Sequence, residues 1–60
     1  MTETKLVEYL MEVLDFASEE DGMIIGSSSF EDVGMMTSNE GLVVRMKDGS
    51  EFQITVVKSK

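Results

Sequence analysis

Four carboxylates, Glu8, Glu12, Asp15 and Glu19, recur at intervals of four, three and four residues. Paired carboxylates can divide general acid and general base roles, but only where a water-excluding cleft sets their proton affinities apart. A chain of 60 residues has little material for such a cleft. The stripe is therefore expected to be either the solvated edge of a helix or a surface that steers a basic partner. Ser27, Ser28 and Ser29 offer hydroxyl nucleophiles, yet the chain has no His to act as their base and no Lys close to them in sequence. Cys is absent too, which removes thiolate nucleophiles, disulfides and thiolate metal sites. Glu19, Glu20 and Asp21 form a short acidic run without EF-hand spacing. Gly26 to Ser29 is similar to a phosphate-binding loop in composition but lacks the Walker lysine, so it reads as a connector. No catalytic residue, cofactor or metal is expected.

The charge narrows the choice of partners. Twelve acidic against five basic residues give a net charge of −7, which disfavours nucleic acid and favours a basic protein. The imbalance is concentrated at the front: residues 1–21 hold seven acidic side chains and one lysine, whereas residues 41–60 hold four basic and two acidic ones. The amino-terminal residues lack the basic and apolar regions of a secretory signal, and no apolar run approaches the ~20 residues of a membrane span. A cytoplasmic protein that does not bind membranes is the expectation.

These side chains must be positioned by a small number of elements. From Glu3 to about Ser18 there is no Gly or Pro, most residues are good helix formers, and Thr2 or Thr4 can cap the amino terminus. Gly22 is placed to close the helix. At about 100° per residue the four carboxylates line one edge. Leu6, Leu10, Val13 and Ala17 form the centre of the apolar face, with Tyr9 and Phe16 on one flank and Val7, Met11 and Leu14 on the other. That arc spans roughly 220°, more than the ~100° a helix needs to lie on one sheet. Either further chain wraps the helix, or one flank is an interface with a second copy or another protein.

Met23 to Ile25 is short, apolar and bounded by glycines, which predicts a buried strand. Ser28 with Glu31, or Ser29 with Asp32, has the spacing of a capping box over a single helical turn at Phe30–Val33. The preferred alternative is a strand over 33–37, joined to Leu42 through the turn-forming Ser38-Asn39-Glu40-Gly41. Residues 41–58 then alternate with period two around Lys47-Asp48-Gly49. A two-residue loop would set Val44 opposite Gln53 and mix the faces. A three-residue loop sets Val44 against Phe52, Leu42 against Ile54 and Arg45 against Glu51, and places Gly49 where a G1 bulge requires positive φ. Of the five internal methionines, Met11, Met23 and Met46 are expected in the core. The adjacent Met35 and Met36 cannot both face it.

The expected fold is α+β: one domain over residues 1–60, with an amino-terminal amphipathic helix packed on a three- or four-stranded antiparallel sheet that ends in a β-hairpin. The expected role is a non-enzymatic interaction or regulatory module. Glu8, Glu12, Asp15 and Glu19 would steer a basic protein, and Tyr9, Phe16 and Met11 would anchor it. Two alternatives stand beside it. One is a homodimer formed through the helix flanks. The other is an inhibitor that mimics nucleic-acid charge, because the small, acidic, Cys-free composition is similar to that of antitoxin-like proteins.

Overall fold

The computed structural model describes residues 1–34 and 39–60. It contains a helix α1, Glu3–Asp21, and three strands, β1 at Ile24–Ser29, β2 at Glu40–Met46 and β3 at Glu51–Val56. The strands form one antiparallel sheet in the order β1-β2-β3, and α1 packs across it. The chain is thus α+β, with β2 and β3 as the carboxy-terminal hairpin.

Both helix ends are closed by local chemistry. Thr2 Oγ1 accepts a hydrogen bond from the Lys5 amide at 3.1 Å, which satisfies one of the free amino-terminal donors. At the other end Gly22 adopts φ 69° and its amide donates to the Ser18 carbonyl at 2.9 Å. Glu19, Glu20 and Asp21 fall inside the last turn, so α1 runs up to Gly22, the residue expected to close it.

The hairpin has the three-residue loop. Arg45 pairs with Glu51, Val44 with Phe52 and Leu42 with Ile54, so apolar residues share one face. Met46 donates to the Ser50 carbonyl at 2.9 Å, the Gly49 amide donates to the Met46 carbonyl at 3.1 Å, and Gly49 sits at φ 93°. This is a type I turn closed by a G1 bulge. Asp48 braces it: the Ser50 hydroxyl and the Ser50 amide both donate to Asp48 Oδ1, and these bonds hold the carboxyl below its ordinary value of 3.8.

β1 differs from expectation. It extends through Gly26-Ser27-Ser28-Ser29, which composition marked as a connector, and it leaves Met23 and Ile25 exposed. Backbone pairing to β2 defines this edge strand more than apolar side chains do. Gly26, Ser27, Ser28 and Ser29 are matched to Arg45, Val44, Val43 and Leu42, with a register shift between Ile24 and Gly26. Arg45 therefore does not serve as an exposed partner for Glu51. It is half-buried and lies over β1, where its Nη2 donates to Ser28 Oγ at 3.1 Å.

After β1 the chain makes a helical turn instead of entering another strand. Ser29 Oγ accepts from the Asp32 amide at 3.1 Å, and the Val33 amide reaches the Ser29 carbonyl at 3.2 Å. The Ser29/Asp32 capping spacing thus prevails over the strand at Val33 and Gly34, while 35–37 of that strand, with Met35 and Met36, lie outside the described residues. Glu40 and Gly41 belong to β2 and not to a turn. Gly41 has a packing role: a Cβ there would meet the Ile54 carbonyl and the Phe30 ring, and Phe30 is itself buried.

The core is thin and lies between α1 and the sheet. Val7, Leu42, Val44 and Val56 are buried together, with Leu10, Met11, Leu14, Ile24 and Met46 packed around them. A fully buried side chain of this kind contributes about 1.5–3 kcal/mol, so four such residues carry much of what holds so small a fold. Replacing Gly49 with Val should cost about 1 kcal/mol or more, since a β-branched residue is strained at positive φ. Chemical denaturation of the variant checks this, and an unchanged midpoint would contradict the bulged turn.

Candidate functional site

The helix orientation decides which side chains are available for binding. The inward centre is Val7, flanked by Leu10, Met11 and Leu14, and not the Leu6-Leu10-Val13-Ala17 line that periodicity favours. The connection between α1 and β1 explains the turn. Only Gly22 and Met23 separate the two elements, and Ser18 Oγ donates to the Ile24 carbonyl, which brings the Val7-Leu14-Ser18 side of the helix against β1. The outward face is left apolar. Phe16 is 65 % exposed, Val13 62 % and Tyr9 47 %.

Two of the three expected anchors, Tyr9 and Phe16, stand on this outer face. Met11 does not join them. It is half-buried, packs against the core, and faces the cleft beside Ser29 and Glu40. Its role is structural, because the rotation of α1 carries the Val7-Met11-Leu14 flank inward.

Glu8, Glu12, Asp15 and Glu19 are all exposed along the helix edge between the buried face and the outer aromatic face. Lys5 Nζ lies 3.8 Å from Glu8 Oε2 and 5.7 Å from the Tyr9 ring centroid, so one cation bridges the stripe and an aromatic at its amino-terminal end. Such exposed contacts contribute little to stability.

The fold extends the stripe with carboxylates that are distant in sequence. Glu8, Glu31, Asp32 and Glu40 line a shallow cleft together with Thr4, Val7, Met11 and Ser29, where the turn after β1 approaches the helix. Glu31, Asp32 and Glu40 escape sequence reasoning because only the fold brings them beside Glu8, the first two through the capped turn at Ser29 and Glu40 through β2. The spacing of Ser29 and Asp32 was the available signal. Among the described residues no three acidic side chains converge closely enough to hold a metal ion. Ser28 and Ser29 both carry structural hydrogen bonds, one to Arg45 and one to the Asp32 amide. Among the described residues no helix is long and apolar enough to cross a membrane.

Compared with known proteins, the chain matches no protein-family model, no curated protein sequence and no solved structure. The functional reading therefore rests on the surface itself.

The separation of inward and outward residues is testable by truncation. Met11→Ala should destabilise the domain by roughly 1–2 kcal/mol, below the usual range for a fully buried methionine because this one is half-covered. Phe16→Ser should change stability by no more than about 0.5 kcal/mol. Thermal melts of the two variants check the assignment, and the opposite ranking would reverse the face given to α1.

Proposed function

We propose that the protein is a non-enzymatic interaction module that docks a basic protein on the outer face of α1. The observation that carries this reading is the exposure of Tyr9, Val13 and Phe16 directly beside the carboxylate stripe. Aromatic side chains that are free on one partner and become desolvated on association supply most of the affinity at protein interfaces. Carboxylates around them raise the encounter rate of a positively charged partner and exclude acidic ones. The cleft at Glu8, Glu31, Asp32 and Glu40 fits this scheme as a receptor for a Lys or Arg side chain, since it adds acidic groups to the end of the stripe. A net charge of −7 acts in the same direction over longer range. Steering and anchoring are thus assigned to different residues, and each makes its own kinetic prediction.

Capture from cell lysate at low and at high salt, followed by kinetics on the retained protein, tests the proposal. Glu12→Gln with Asp15→Asn should lower the association rate and flatten its salt dependence while leaving dissociation nearly unchanged. Phe16→Asp should accelerate dissociation by about tenfold or more, as loss of a central aromatic anchor does. Equal capture by wild type and Phe16→Asp, or an association rate at low salt that ignores the double substitution, would overturn it.

A further inference from the structure

The outer edge of β3 is as unusual as the helix face. β3 is a terminal strand of the sheet, six residues long, and none of Glu51 to Val56 is Gly, Pro or Lys. Its helix-side residues Phe52 and Ile54 remain 56 % and 40 % exposed, because α1 lies mainly over β1 and β2. Edge strands of natural proteins are normally protected by bulges, prolines, inward charges or a covering element. β1, the opposite edge, has such protection in its register shift between Ile24 and Gly26 and in the close cover of α1. β3 has neither. Since Met46 donates to the Ser50 carbonyl, the alternation of the antiparallel ladder turns the N–H and C=O groups of Glu51, Gln53 and Thr55 away from β2.

We propose that β3 pairs antiparallel with β3 of a second copy of this chain, about a two-fold axis at Ile54, to make a continuous six-stranded sheet. The alternation of the strand suits this occupant. With the axis at Ile54, Phe52 stands opposite Val56 of the second copy and Ile54 opposite Ile54, all on the helix side. Gln53 then stands opposite Thr55 on the other side. Over Phe52 to Val56 apolar residues meet apolar residues and polar ones meet polar ones in this register, with Glu51 opposite Val57.

Charge points the same way. Antiparallel pairing lays the basic end of one copy, Lys58 and Lys60, against the turn end of the other, which holds Asp48 and Glu51 beside the single cation Lys47. The side of α1 turned toward β3 is the Leu6 side, since Leu6 and Glu3 share a cleft with Val56, Val57 and Lys58. Glu8, Glu12, Asp15 and Glu19 lie on the other side of the helix, so two chains of net charge −7 meet without opposing their acidic stripes. The contact leaves the outer face of α1 free and stands independently of the role proposed for it.

Sedimentation of the full chain should give a mass twice the 6.7 kDa of one copy. Gln53 and Thr55 are exposed and point away from the helix, so changing them leaves the cluster between α1 and the sheet untouched. A Gln53→Lys/Thr55→Lys variant should sediment as a folded monomer, because the axis sets like charges face to face. A Gln53→Glu/Thr55→Glu variant should do the same, and an equimolar mixture of the two should recover the dimer mass. Circular dichroism confirms that each variant is folded. Wild type sedimenting as a monomer at millimolar concentration would overturn the inference, as would a lysine variant as dimeric as wild type or a mixture that fails to pair. Dissociation of the dimer by Phe16→Asp alone would move the contact to the helix and overturn it equally.

Discussion

A helix about 10 Å across, laid on strands about 4.8 Å apart, covers two strands and not three. This protein has one helix and three strands among its described residues, and most of its surface chemistry follows from that mismatch. α1 takes its place over β1 and β2 because the connection through Gly22 and Met23 is short and Ser18 is tied to the Ile24 carbonyl. Val7 is then buried on Leu42, Val44 and Val56, and β3 keeps its apolar side chains partly in water. On the helix the same shortage of cover leaves Tyr9, Val13 and Phe16 outside.

A fold that fixes so much apolar surface outside its core is costly for a small chain, whose buried fraction is already near the lower limit for independent folding. The two proposed contacts would relieve it, and they fall on different sides of the molecule. The outer helix face joins aromatic anchors to a carboxylate stripe, a combination suited to a basic protein. The β3 edge joins free backbone groups to a self-complementary sequence, a combination suited to a second copy. Because the acidic edge of α1 faces away from β3, one contact does not electrostatically oppose the other.

Much of the architecture is legible in the sequence where local chemistry decides it. Gly49 and the alternation around it specify the hairpin register, and Thr2 and Gly22 mark the helix ends. The inward face of α1 was not legible. Its apolar arc is wider than any one sheet can cover, so the sequence admits several rotations, and a single side-chain bond from Ser18 to a strand carbonyl distinguishes them. The strand formed by Gly26 to Ser29 was hidden for a related reason. An edge strand can be held by backbone pairing and by the reach of Arg45, with little apolar signal of its own. At the candidate site the stripe of Glu8, Glu12, Asp15 and Glu19 was visible from spacing. Glu31 and Asp32 join Glu8 only after the Ser29 cap folds the turn back toward the helix, and Glu40 reaches it from β2.

α1 turns its aromatic face to solvent, and the chain carries its own reporter of that orientation. Tyr9 is the only Tyr and there is no Trp, so ultraviolet emission comes from the middle of the proposed docking face. Quenching of the folded protein by acrylamide, a neutral probe unaffected by the carboxylate stripe, measures the exposure of Tyr9 directly. The structure predicts quenching at about half or more of the efficiency seen for the denatured chain, in keeping with a ring 47 % exposed. Emission from folded protein that resists acrylamide would place Tyr9 in the core and contradict the orientation of α1 on which the account rests.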